Sequence, residues 1–333
     1  MKLLVTGASG FLGKYVVAEA VRCGHNIRAL VRPATKSLPE TWHENPQIEI
    51  VYGDLRASGG LSQIIEGVDG VIHLAASKAG DLYEQFGGTV IATENLLIAM
   101  SKSGIKRIVL TSTFSVYEYL KRCEWGKITE SSLLATNPFD RDEYCQTKME
   151  QEKLVMNHAK ENDWRCMILR PGVIFGKENL WTARLGMKIN SKWWIATGLF
   201  ACLPLTYVEN CASAIVASAQ YDGQENISVL NVVDGKSPTQ LKYIHALKNK
   251  SEIKPHIVLI PWTIMKILAR TAWLVNHIFF KGTAKIPGLF VPSRIHARCK
   301  PLLYSNRKIN SVLGWKARYT WREGIERSYG EKF

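Results

Sequence analysis

Tyr144 and Lys148 stand four residues apart in "YCQTK", a separation that stacks two side chains on one face of a helix. A free phenol titrates near about 10 and is a weak acid–base catalyst at neutral pH, but an adjacent ammonium stabilises the phenolate and lowers that value. A phenol so tuned can exchange a proton with a carbonyl or alcohol oxygen. Such a pair also arises by chance on a solvated helix face, so its meaning depends on what surrounds it. Upstream, "VLTSTFSVYE" closes an apolar run, and a hydroxyl at the carboxyl end of a buried strand can hold a substrate oxygen beside the phenol. Thr113 is expected in that role, with Ser112 as the alternative.

A second group of residues suits a dinucleotide. "VTGASGFLG" sets Gly7, Gly10 and Gly13, with Ser9, Phe11 and Leu12 between them, after the first apolar run and at the opening of a helix. Glycines let the backbone approach a pyrophosphate, and the N–H groups of the helix start meet its charge. The residue after the second strand reads the adenosine ribose, an acid for a 2′-hydroxyl or an arginine for a 2′-phosphate. Here "RALVRPATK" supplies Arg32 and Lys36, and a guanidinium fork matches a phosphate. The phosphorylated cofactor NADP(H) is therefore expected over NAD, the alternative being a solvated arginine at a strand end. Asp54 and Leu55, in "YGDL", follow the third strand. Asp54 is placed to accept from the adenine amino group or to cap the next helix.

These residues need a frame. "KLLVT", "NIRALV", "IEIVY", "VDGVIHLA" and "RIVLTS" are short runs rich in Val, Ile and Leu, the pattern of strands buried on both faces. Residues 11–23, 58–66 and 83–103 between them have helical apolar spacing. Strict alternation predicts a parallel sheet with right-handed crossovers, a doubly wound α/β domain. A sixth strand, "RCMILR", follows the helix of Tyr144. Beyond Gly176 the rhythm loosens into a strand-like "LPLTYV", a helix over 209–219 and "ISVLNVV". From Pro255 on, the chain reads as mostly helical, apolar and basic. A Rossmann domain over 1–175 and about 203–233 is expected, with a smaller, mostly helical substrate region over about 176–202 and 234–333.

The 333 residues, 46% apolar and 22% charged, describe an ordinary globular enzyme-sized chain. Seven cysteines without a C-x-x-C pair or metal-ligand spacing suit a reducing compartment and predict no metal site. No signal-peptide core and no apolar run of eighteen residues is present, so a cytoplasmic protein is expected. The net charge of +14 is uneven: residues 241–333 carry 18 of the 43 basic and 4 of the 29 acidic residues. Nothing in the motifs suggests a nucleic-acid partner. In "PWTIMKILARTAWLVNHIFFKG", Thr263, Lys266, Arg270 and His277 share one narrow stripe, leaving a broad apolar face. Such a helix closes over a substrate, lies on a membrane surface beside basic residues, or packs within the substrate region.

Taken together, "TGASGFLG", "GDL", "HLAA", "TSTFSVY", "YCQTK" and "LRPGVIFG" resemble, in order and spacing, the extended short-chain dehydrogenase/reductases of the NAD-dependent epimerase/dehydratase superfamily. "TYVENCASAI" and "SNRKINSVLGWKARYTWREGI" also look like family segments, so the resemblance spans almost the whole chain. It implies Tyr144 as acid/base, Lys148 as its tuner and anchor of the nicotinamide ribose, and Thr113 as the group orienting the substrate oxygen. It further implies that His73, Leu74, Ala75 and Ala76 line the cofactor's ribose and that Pro171, Gly172 and Val173 meet the carboxamide through backbone groups. A homodimer is expected on the same ground. One departure is Thr89, where relatives commonly carry Asn. The "RPG" at 170–172 resembles the 3β-hydroxysteroid dehydrogenase and dihydroflavonol reductase-like branch, implying oxidoreduction of an apolar or cyclic alcohol or ketone. A nucleotide-sugar epimerase/dehydratase is the alternative, and a non-catalytic dinucleotide-binding sensor or scaffold a second one. The substrate pocket is expected from residues 80–90, 115–140 and 176–200.

Overall fold

In the computed structural model of the chain, which describes residues 1–136, 141–188, 190, 193–250, 255–281, 283–284 and 286–330, the N-terminal apolar runs become strands. These are β1 (Lys2–Thr6), β2 (Asn26–Val31), β3 (Ile48–Tyr52), β4 (Gly70–His73) and β5 (Arg107–Thr111). With β6 (Arg165–Pro171) and β7 (Ile227–Val232) they form one seven-stranded sheet in the order β7-β6-β5-β4-β1-β2-β3. Every neighbouring pair is parallel, so each connection must cross a face of the sheet. β3 departs from the expectation of a strand buried on both faces. It is the sheet's last strand, its residues are only partly covered, and Tyr52 is exposed.

The side-chain alternation of the strands sorts the core into two layers. Leu3, Val5, Ala29 and Val31 pack with helix α1 (Phe11–Arg22) and with Ala212, Ile215 and Val216 of a later helix, α5 (Val208–Ala219). Leu4, Leu30, Val71 and Ile108 pack on the other side. They meet Leu96 and Leu97 of α3 (Ala92–Lys102) and Val155 and Ala159 of α4 (Glu143–Glu161), the helix of Tyr144 and Lys148. A short helix α2 (Leu82–Phe86) runs into α3 through a π-helical turn at Gly87–Ile91.

Beyond β6, Val173–Phe175 pairs with Leu205–Tyr207. A separate three-stranded sheet joins Met187–Lys188, Trp193–Thr197 and His256–Ile260. The segment after Pro255 opens as a strand, which its mostly helical reading did not single out. "HIVLI" is a β-branched run that pairs in parallel with residues 193–197. Helices α6 (Trp262–Phe280) and α7 (Pro292–Cys299) follow. The late segment folds back onto the sheet domain. The Asn210 side-chain oxygen accepts from the Arg318 and Tyr319 N–H groups at 2.9 and 3.1 Å, Trp315 Nε1 donates to Ser213, and Arg318 grips Glu19 of α1.

Candidate active site

The sheet order reverses direction between β1 and β4, the place where a doubly wound sheet opens a crevice at its carboxyl ends. The glycine loop lies there. Gly7 has φ +68°, and a Cβ on it would stand 3.0 Å from the Ala75 nitrogen. A Cβ on Gly13 would overlap the carbonyl oxygens of Gly7 and Ala8. Gly10 donates to the Gly7 carbonyl at 3.1 Å and ends the turn as the N-cap of α1, which no side chain caps. The first N–H groups of the helix, from Phe11 to Gly13, thus lack intrahelical acceptors and face outward beside Ser9. That is the donor set a pyrophosphate requires.

Leu74, Ala75 and Ala76 leave β4 along the rim of this crevice, half-buried, with the Ala75 N–H on Thr6 Oγ1 at 3.3 Å. Thr89 sits fully buried in the π-helical turn, and its hydroxyl accepts from the Ser77 N–H at 3.0 Å. The residue that departs from the family pattern therefore pins the loop after β4.

At the end of β2, Arg32 and Lys36 are exposed, and neither forms an ion pair among the described residues. Asp54 is held by its neighbour Arg56, whose Nε and Nη2 lie 3.0 and 2.5 Å from the carboxylate. Those bonds hold the carboxyl below its usual range, with Arg32 adding a smaller effect. The capping alternative for Asp54 is not realised, because the next helix begins at Leu61 behind Gly60, which has φ +80°. Leu55 is a core residue, and its carbonyl accepts from Asn95.

Asp142 caps α4 by accepting from the Cys145 N–H at 3.0 Å, which puts Tyr144 in the first turn. The ring is half-buried. Burial raises its pKa well above that of an ordinary phenol, and a hydrogen bond with the Thr113 side chain is the one influence that lowers it. Thr113 Oγ1 in turn lies 3.1 Å from Ser115 Oγ and accepts from the Ser115 N–H at 3.2 Å. Ser112, by contrast, is buried, and its hydroxyl has no partner among the described residues. Thr113, not Ser112, is the hydroxyl that acts on the phenol's titration.

Lys148 is buried one turn along α4 from Tyr144. Its Nζ donates to the Thr111 carbonyl at 2.7 Å and to Gln151 Oε1 at 2.8 Å. Burial, and next the charge of Lys78, push its pKa down to about 7. The Gln151 amide donates to Thr93 Oγ1 at 2.8 Å, which also lies 2.9 Å from His73 Nε2, while His73 Nδ1 is 2.7 Å from Thr6 Oγ1. Since the Thr93 hydroxyl donates to the Thr89 carbonyl, His73 fits as a neutral ring with its proton on Nε2. Complete burial, and then Lys148, lower its pKa to about 3. A buried hydrogen-bonded chain therefore links the strand under the glycine loop to the lysine of α4.

Several of these residues escaped the sequence reading. Lys78, in the loop after β4, places its ammonium 5.7 Å from the centre of the Tyr144 ring, and desolvation lowers its pKa although it opens to solvent. Glu152 forms a two-pronged pair with Arg170, at 2.9 and 2.6 Å, tying α4 to β6. Arg170 also lies over the ring of Tyr117. Gln151 and Glu152 follow Lys148 by three and four residues, the helical spacing that could have revealed both. After β6, Gly172 N–H donates to Val232 and Val173 N–H to Pro204, while Pro171 has no N–H. The backbone groups of Pro171, Gly172 and Val173 that remain for a carboxamide are carbonyls, a narrower set than expected. Of the expected pocket segments, residues 137–140, 189 and 191–192 lie outside the described residues.

Residues 3–232 match the model of the NAD dependent epimerase/dehydratase family. The chain is 31% identical over 184 residues to the 3 beta-hydroxysteroid dehydrogenase/Delta 5→4-isomerase of Mycobacterium tuberculosis, a match covering 53% of this chain and 47% of that protein. The chain thus spans about half the length of this relative. The sterol-4-alpha-carboxylate 3-dehydrogenase, decarboxylating, of Candida albicans is 25% identical over 97% of this chain and 95% of its own. In fold, the chain is similar to the UDP-glucuronic acid 4-epimerase of Bacillus cereus, solved in complex with NAD. The TM-score is 0.72 at 19% identity, over 99% of this chain and 97% of that one.

Proposed function

The chain belongs to the NAD-dependent epimerase/dehydratase family, and we propose that it interconverts a secondary alcohol and a ketone on an apolar or cyclic substrate. The observation that carries this reading is the meeting of Tyr144 and Thr113 at the carboxyl end of β5, beside the glycine cradle. The cradle's backbone donors and the close approach it permits fit a dinucleotide, which supplies the hydride acceptor or donor when bound. Thr113 holds the substrate oxygen, and Tyr144 gives it a proton in reduction or takes one in oxidation. Lys148 holds the nicotinamide ribose and lends positive charge to the site, while Gln151 keeps its ammonium in place. The high phenol pKa favours the protonated form, the form that reduction consumes.

The apolar substrate is supported by the two sterol- and steroid-directed relatives and by "RPG" at Arg170–Gly172. The unpaired Arg32 at the end of β2 supports NADP(H) over NAD, since Asp54 is already neutralised by Arg56. Spectrophotometric assay of cyclic secondary alcohols and of nucleotide sugars, each with NAD and NADP, tests the reading. Turnover of cyclic alcohols that vanishes in Tyr144→Phe supports it. Epimerisation of a nucleotide sugar with tightly retained NAD overturns it. Retention of both Tyr144 and Lys148 argues against a purely structural sensor.

A further inference from the structure

Helix α6 turns its apolar side to the solvent. Met265, Ala269 and Asn276 are its buried residues, and the first two pack on Ile295 and Cys299 of α7. The opposite side carries Ile264, Ile267, Leu274, Val275, Ile278 and Phe279, all exposed, with Ile267 at 63% and Phe279 at 74%. A surface helix ordinarily shows charge on that side. The charges instead line one flank, where Lys266, Arg270 and His277 recur at helical spacing and Lys281 follows the last turn. On this flank the Trp273 and His277 rings stack at 5.4 Å. The helix is fixed to the body at its start, where Trp262 Nε1 and Lys266 Nζ both donate to Glu124 Oε1, at 2.9 and 2.8 Å.

We propose that α6 is a membrane-docking helix that lies flat on an anionic bilayer, its apolar side among the acyl chains and its basic flank at the headgroups. Three observations select this occupant. No helix among the described residues is long and apolar enough to cross a membrane, and one side of α6 is already committed to α7. The exposed face is a convex row of aliphatic and aromatic side chains, which suits a fluid surface better than a grooved one. The net charge of the whole chain, +14, lies in residues 241–333, the segment that contains this helix. Two copies meeting face to face here would bring like charge together, whereas anionic lipid complements it.

Sedimentation of the full chain with phosphatidylcholine vesicles, with and without phosphatidylglycerol, tests the proposal. The wild type is expected to pellet with the anionic vesicles at low salt and to be largely released near about 1 M salt, where screening shortens to about 3 Å. Ile267→Glu/Ile278→Glu, at two exposed positions, should reduce partitioning by roughly tenfold or more. Its circular dichroism and dinucleotide binding should stay unchanged. Arg270→Glu/Lys281→Glu should remove the preference for anionic vesicles. Failure of the wild type to pellet at low salt overturns the proposal, as does equal binding by Ile267→Glu/Ile278→Glu. A wild-type dimer in gel filtration that this variant converts to a monomer, with no vesicle binding, would assign the face to a second copy instead.

Discussion

Lys148 Nζ lies 2.8 Å from Gln151 Oε1, and that contact, one turn along α4, holds the ammonium in the buried chain that leads to His73. The lysine's second bond, to the Thr111 carbonyl at 2.7 Å, fixes it to the end of β5. A buried ammonium with two acceptors is well oriented but poorly solvated, which is why its pKa falls to about 7.

Gln151 is therefore a positioning residue. Gln151→Leu leaves the ammonium one acceptor short and severs the link to His73, at a cost of about 1–3 kcal/mol for the unsatisfied group. Turnover should drop by roughly tenfold, and the cofactor KM should rise. Gln151→Glu restores an acceptor and should recover most of the cofactor affinity. A variant that only loosened the fold would lower melting temperature without this rescue.

Dinucleotide binding should take up protons. The bound ribose hydroxyls and phosphate charge favour the ammonium form of Lys148, so its pKa rises from about 7. Between that value and the new one, the complex holds more protons than the unliganded protein. Calorimetry at about pH 8 in two buffers of different ionisation enthalpy should show uptake of up to about one proton per site. Lys148→Met should show none.

Tyr144→Phe removes the proton donor at the reacting oxygen and leaves the glycine cradle intact. Turnover should fall by roughly a hundredfold or more with dinucleotide affinity nearly unchanged. Near-normal turnover in steady-state assay would end the assignment.

Arg32→Asp replaces a partner for the 2′-phosphate with a like charge. Affinity for NADP should fall by roughly tenfold to a hundredfold relative to NAD, as read by fluorescence titration. A wild type that already prefers NAD would show that Arg32 is a solvated strand-end residue.

The Arg170–Glu152 pair, each side chain 4% exposed, anchors α4 to β6. Arg170→Met leaves a buried carboxylate without its partner and should cost about 3–5 kcal/mol in urea unfolding. Arg170→Met combined with Glu152→Leu should recover much of that loss, because the uncompensated charge is gone.

The doubly wound frame was legible because Val, Ile and Leu runs of strand length alternate with helical spacing, and β1, β2, β4 and β5 lie where those runs stand. The glycine loop was legible for a similar reason, since its meaning is local at Gly10, which bonds Gly7, and at Gly13, whose Cβ would meet Gly7 and Ala8. The partners of Lys148 were not, because the chain reaching it runs from His73 through Thr93 Oγ1 to Gln151, residues far apart in the sequence. The two readings of Asp54, adenine contact or helix cap, could not be separated by spacing, because its partner Arg56 lies only two residues on. Lys78 sits in a loop, where neither period applies. The strand over 256–260 was taken into a helical stretch because its pairing partner lies some sixty residues earlier.

The grip of Arg318 on Glu19 spans 299 positions, and its neighbour Tyr319 closes on Asn210. During synthesis, the helix that begins the nucleotide cradle thus gains this brace only after residue 319 has left the ribosome. The sheet itself completes earlier, with β7. Between these two moments the emerging chain exposes an assembled sheet whose first and fifth helices still lack their outer support.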